Sequence, residues 1–165
     1  MSAAEALRAA RAVGLTVRSD GDCLLLEADA EPPRAVLDAL ARHKPAILNL
    51  LRPGAFGWTV DNWQAYFKNR REIAGNNPRT RAEAETLALA CCVVKWLNHH
   101  PAPSPPGRCA CCGKTESPGA VVLPFGIEPG THTWLHAECW PAWHEARRVD
   151  AIVALAAMGI VTRQE

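Results

Sequence analysis

The 165-residue chain has no apolar run approaching the roughly 18 residues that a membrane-spanning helix needs. Its opening stretch, MSAAEALRAARAVG, holds no uninterrupted hydrophobic region of the secretory kind. A spanning segment and a cleaved leader are therefore not expected, and the chain reads as cytoplasmic.

An excess of charge of one sign is also missing. Eighteen Lys and Arg face 17 Asp and Glu, a formal net charge of +1. Residues 1–52 carry seven basic against seven acidic side chains, residues 53–107 six against four, and residues 108–165 five against six. No segment is basic enough for charge alone to argue for nucleic acid. A nucleophile elbow, a phosphate-binding loop and an HExxH motif are all absent, as is any internal repeat. These absences argue against an enzyme, and no small-molecule substrate is expected.

What is present is ordinary globular material, 48% hydrophobic and 21% charged. The exception is cysteine, at seven residues both a high count and an odd one. In a reducing compartment disulfides are disfavoured, so clustered cysteines point to metal.

Three segments separate by composition. In the first, Ala6, Leu7, Ala10 and Val13 recur on one face of a helix over Ala3 to Val13, and Gly14 stops it. Leu15 to Arg18 and Cys23 to Glu27 form two short strands, joined by Ser19-Asp20-Gly21-Asp22 with its Asp-Gly turn signal. Pro32-Pro33 opens a helix through about His43 with Val36, Leu37 and Leu40 inward. Pro45 begins the next, whose apolar face is Ile47, Leu48 and Leu51. The order over residues 1–52 is αββαα.

That order, with its Gly-Leu step into the first strand, its Asp-Gly hairpin and its terminal His-Lys-Pro-Ala-Ile-Leu-Asn-Leu-Leu helix, resembles the TubC-type N-terminal docking domain. The resemblance implies a small domain whose hairpin receives the tail of a partner protein. Leu15, Val17, Cys23 and Leu25 are then the candidate partner-binding residues. Similar domains also stand at the front of bacterial and phage proteins unrelated to synthetases.

The second segment, residues 59–100, reads as a helical hairpin. Asp61 or Thr59 caps a helix with Trp63, Tyr66 and Phe67 on one side, and Gly75-Asn-Asn-Pro78 breaks it. Thr80-Arg-Ala-Glu83 fits a capping box ahead of an apolar helix to about His100. Residues 101–107 hold four prolines and should be an extended spacer. Residues 108–160 follow, with strands expected at Ala120 to Leu123 and Thr131 to Leu135. A long helix from about Glu138 to Met158 ends at Gly159, and Ile160 folds back on it. The fold class is α+β.

The third segment carries the chemistry. Cys109-Ala-Cys-Cys112-Gly113 places two thiolates on a tight knuckle, and His136-Ala-Glu-Cys139 supplies a second pair at the same spacing, at the start of a helix whose dipole favours thiolate. Two pairs of soft or borderline ligands satisfy one tetrahedral Zn2+ and leave no open position, so the site is structural. The intervening 23 residues fit a β-hairpin, which predicts a treble-clef-like finger. The first half-site of LIM domains is similar in layout, and Trp-Leu-His-x-x-Cys-Trp resembles plant-homeodomain fingers, although the ligands for a second zinc are missing. Cys111 can replace Cys109 or Cys112 as a ligand, but not pair with Cys112 in one knuckle, and His132 and His144 stand in reserve. Such sites carry on the order of 10 kcal/mol of apparent binding energy, so the finger should unfold without metal.

The remaining conspicuous residues have plainer readings. Cys91-Cys92 reads as small core packing in preference to a redox pair, Cys23 likewise as packing, Trp134, Trp140 and Trp143 as a core around the metal in preference to an exposed aromatic binding face, and His99-His100 as a solvated helix end. Lys68, Arg70, Arg71, Arg79 and Arg81, with Trp63 and Tyr66 nearby, form a basic patch able to contact a nucleic-acid backbone, against the plainer reading of a solvated helix pair.

Residues 59–160 also resemble a family of small α-proteobacterial proteins of phage-like and mobile elements. The shared elements are Trp63/Phe67, Cys91 to Leu97, Cys109 to Gly113, Leu123 to Gly126 and Trp134 to Trp140. The resemblance implies an accessory protein of a mobile element and supplies no activity. An HNH-type nuclease would need further histidines and an acid–asparagine constellation that His132 and His144 lack. Two readings remain. The first is a non-enzymatic zinc-binding adaptor working through a protein partner, including an inhibitor of a host or defence complex. The alternative is a nucleic-acid-binding accessory of replication or transcription control. Near-zero charge favours the adaptor.

Overall fold

The structure is a computed structural model and describes residues 2–52, 54, 57–76, 80–126 and 130–162. Among the described residues, six helices and two two-stranded antiparallel sheets make a mixed helix-and-strand fold. No helix among them is long and apolar enough to cross a membrane.

Helix α1 (Ala3–Ala12) starts in a capping box: the Ser2 hydroxyl accepts from the Glu5 N–H, and the Glu5 carboxylate accepts from the Ser2 N–H. Strands β1 (Thr16–Asp20) and β2 (Cys23–Glu27) then pair from Thr16 opposite Glu27 to Asp20 opposite Cys23. The two turn residues are thus Gly21 and Asp22, not the Asp-Gly pair, and Gly21 takes the left-handed φ of +56°. Helices α2 (Arg34–Arg42) and α3 (Lys44–Leu51, with Pro45 in its first turn) complete the αββαα order. Leu7, Ala10, Leu15, Val17, Leu40 and Ile47 close one core. Cys23, expected in that core, is exposed at the head of β2.

Helix α4 (Val60–Gly75) is capped by Thr59 with Asn62. Helix α5 (Arg81–His99) carries the expected Thr80/Glu83 box. The intervening break falls on residues 77–79, outside the described residues. Trp63, Cys92 and Trp96 are buried between these helices, whereas Cys91 is exposed. His99 differs from expectation. It is 2% exposed, because the Trp58 and Trp63 rings pack against it with centroids 4.7 and 5.3 Å away.

Strands β3 (Val122–Phe125) and β4 (Thr133–His136) pair with Val122 opposite His136. Both begin about two residues later than expected: Ala120 is held in a tight turn with Ser117 ahead of β3, and β4 starts at Thr133, opposite Phe125. A single 3-10 turn, Ala137–Cys139, leads into helix α6 (Trp140–Ala157). Gly159 ends it at φ +81°, and the Ile160 N–H returns to the Leu155 carbonyl, burying Ile160 as expected.

Helix α6 ties the chain together. Its first residue follows Cys139 of the Cys/His cluster, Val153 enters the core of the αββαα unit, and Ala151, Ala154 and Leu155 enter the core of α4 and α5. The proline-rich stretch is also fastened. Ser104 N–H donates to the His132 carbonyl, the Ser104 hydroxyl accepts from Trp134 N–H, and the Thr133 hydroxyl donates to the Ala102 carbonyl. The spacer is laced along β4, which fixes the finger's approach to α5.

Candidate metal centre

The first half of the centre is a turn built on backbone hydrogen bonds. The Gly113 N–H donates to the Cys109 carbonyl at 2.8 Å, and the Cys109 N–H donates to the Lys114 carbonyl at 2.9 Å. Gly113 sits at φ +72°, a region that L side chains rarely adopt. The Ala110 N–H then donates to the Trp134 carbonyl at 2.8 Å, pinning this turn to β4 two residues before His136. The second half comes from the end of β4 and the short turn that delivers Cys139 to the base of α6.

One ligand atom from each of Cys109, Cys112, His136 and Cys139 lies within 4.8 Å of every other. Cys112 Sγ is 3.4 Å from His136 Nδ1, and Cys139 Sγ is 4.0 Å from the same nitrogen. Ligands about 2.0 to 2.3 Å from a central tetrahedral ion stand at comparable separations from one another. The cluster can therefore hold one metal ion. Cys109 and His136 are buried, Cys139 is half-buried and Cys112 faces solvent.

The electrostatics fit a cation. Burial raises the Cys109 thiol, but N–H groups of Cys112, His136 and Cys111 donate to its sulfur and bring it down to about 6. Burial, hydrogen bonds shared with Cys109 and Cys112, and their like charge push Cys139 up to about 12. Cys139 therefore keeps its proton at neutral pH in the absence of an ion, and a bound dication would reverse that balance. His136 Nε2 is buried without a hydrogen-bond partner, while Nδ1 is the ring nitrogen nearest the Cys112 and Cys139 sulfurs.

The other candidate ligands stand aside. Cys111 is exposed, and neither it nor His132 nor His144 belongs to the cluster. His144 instead stacks on Trp140, centroids 4.7 Å apart. Trp134 and Trp143 pack beside the cluster, as expected, while Trp140 is 37% exposed.

The candidate partner-binding residues divide. Leu15 and Val17 are buried under α1, and only Cys23 and Leu25 face solvent, joined by Leu26. The basic patch is largely engaged within the fold: Arg71 and Arg81 lie 3.6 and 3.3 Å from the buried Glu85 carboxylate, and Arg70 covers the Tyr66 ring. Lys68 has no such partner among the described residues, and Arg79 lies outside them. Missed by sequence reasoning were Ser104 and Arg147, whose long-range bonds have no local sequence signal.

No protein-family model, curated protein or solved structure matches the chain.

Proposed function

We propose that the chain is a non-enzymatic adaptor whose C-terminal finger is folded by one structural Zn2+. The observation that carries this reading is the convergence of three thiol sulfurs and one imidazole nitrogen within 4.8 Å. That donor set suits zinc, and four protein ligands leave no position for substrate or activated water. The knuckle, the β3–β4 hairpin and the helix that starts directly after Cys139 support a treble-clef-like description.

The ion's role is mechanical. It clamps the knuckle to the root of α6, and α6 in turn forms part of both other cores. Partner binding is assigned to the hairpin, where Leu25 and Leu26 are 47% and 43% exposed on a strand with one unpaired edge. The link to mobile elements, and to inhibition of a host or defence complex, rests on the resemblance of residues 59–160 alone. Seven free cysteines suit a reducing compartment.

Two measurements test the reading. Elemental analysis of protein purified without added metal should return one zinc per chain, and a chelator should unfold the finger. Affinity capture should recover a protein partner that is lost on Leu25→Asp with Leu26→Asp. Salt-sensitive binding to DNA or RNA in place of a protein partner would overturn the adaptor role.

A further inference from the structure

A cavity of about 490 Å³ lies where the three segments meet, bounded by α1, β1, the end of α3, the start of α4 and the end of α6. Trp58, Trp63 and Trp96 contribute to its walls. Arg11, Arg18 and Arg52 line it as well, and no Asp or Glu does so among the described residues. Arg18 reaches Glu27 only at 4.0 Å, with both side chains mostly exposed, so solvent screens that pair. Arg11 and Arg52 have no ion-pair partner among the described residues.

We infer that this cavity binds a small amphiphilic anion, an apolar body carrying one carboxylate, sulfonate or phosphate group. The volume falls within the range of small-molecule sites, whose walls are mostly apolar with a few polar groups that fix orientation. Leu50, Leu51, Trp58, Ala156, Ala157 and Met158, all partly exposed, offer an apolar wall for a ring or an acyl chain, while Trp63 and Trp96, each 2% exposed, back it from within the core. A guanidinium fork matches the oxygens of an anionic headgroup, and it attracts them more strongly beside low-dielectric walls than in open water. The walls come from separate stretches of chain, so an occupant bridges the αββαα unit to α4 and α6. Binding therefore stabilises their arrangement by mass action. The site is independent of the metal centre and of the hairpin's exposed face, and the ligand is held rather than turned over.

The test uses the full, metal-loaded chain and the fluorescent probe anilinonaphthalene sulfonate. One probe per chain should bind, with an affinity that weakens as salt rises. Arg11→Ala with Arg52→Ala should weaken it about tenfold, the scale of a lost charge-assisted hydrogen bond. Both arginines are exposed, so the melting temperature of the double variant without probe should match the wild type. Displacement by decanoate and not indole acetate would assign an aliphatic ligand, the reverse an aromatic one, and displacement by both a site tolerant of either. Several probes per chain, salt-independent binding, unchanged affinity in the double variant, or displacement only by an acidic peptide would each overturn the proposal. If the double variant does not fold, the salt dependence and competition on the wild type decide it. Loss of zinc binding in Cys109→Ser would overturn nothing here, so this site and the adaptor reading fail separately.

Discussion

The guanidinium of Arg147 lies 5.2 Å from the centroid of the Trp96 ring and donates to the His100 carbonyl next to it, joining α6 to the end of α5. His100 stacks on the same indole at 4.0 Å and reaches across to the Arg52 carbonyl through Nε2. Three segments are thus joined through one arginine, one tryptophan and one histidine. Burial lowers the Arg147 pKa from its ordinary value, against the pull of Asp150, and the group remains a cation at any physiological pH.

Arg147→Ala should therefore destabilise the fold by about 2 kcal/mol, the sum expected for a charge-assisted hydrogen bond and a half-buried cation–π contact. Arg147→Lys should recover only part of this, since an ammonium keeps the charge but not the planar fork. Urea unfolding of the three proteins checks both statements. Equal stability of all three would show that the contact contributes nothing.

Metal content should follow the cluster residue by residue. Cys109→Ser, Cys112→Ser, Cys139→Ser and His136→Ala should each abolish stoichiometric metal, while Cys111→Ser should leave one ion per chain. Affinity should fall as pH falls, because Cys139, held near 12 without an ion, must lose its proton to bind one. Calorimetry in two buffers of different ionisation enthalpy would show this as a net proton release. Identical heats in both buffers would contradict it.

The Cys/His cluster was legible because two pairs at matched spacing leave few alternatives, and the helix starts because Ser2, Thr59 and Thr80 act through neighbours three residues away. Local chemistry of that kind survives folding unchanged. What escaped depends on contacts distant in sequence. His99 next to prolines looks solvated until Trp58 and Trp63 are placed on it. Pro53-Gly54 reads locally as an ordinary turn dipeptide, yet a Cβ at Gly54 would lie 2.5 Å from the His99 carbonyl oxygen and 2.7 Å from its Cβ, so only glycine fits. Nor does any local pattern reveal that Val153 and Ala151 of one helix serve two different cores.

The burial of His99 makes stability sensitive to acid. Desolvation first, then the charges of Lys95 and His100, lower its pKa below the ordinary 6.5, so the folded state favours the neutral ring. Above 6.5 both folded and unfolded states are neutral there, and the contribution is fully present. As pH falls from 6.5 through the lower folded value, the unfolded state takes up the proton first and stability is lost. Acid also weakens metal binding, but that loss is common to wild type and His99→Gln. The wild type should therefore lose more stability than the variant over that window. Parallel pH profiles would sink the assignment.

Within the basic patch, charge reversal should separate architecture from binding. Glu85 is 5% exposed at its side chain and faces both Arg71 and Arg81. Arg71→Glu would leave a buried carboxylate beside a new one, and should cost about 3 kcal/mol. Any loss of nucleic-acid binding in that variant would then report unfolding. Lys68→Glu touches no such pair and should leave the melting temperature unchanged, which makes it the informative variant. A gel shift that responds to Lys68→Glu at constant stability would establish a nucleic-acid surface on α4. A shift that responds only to Arg71→Glu, in step with its lowered melting temperature, would assign these arginines to holding α4 against α5.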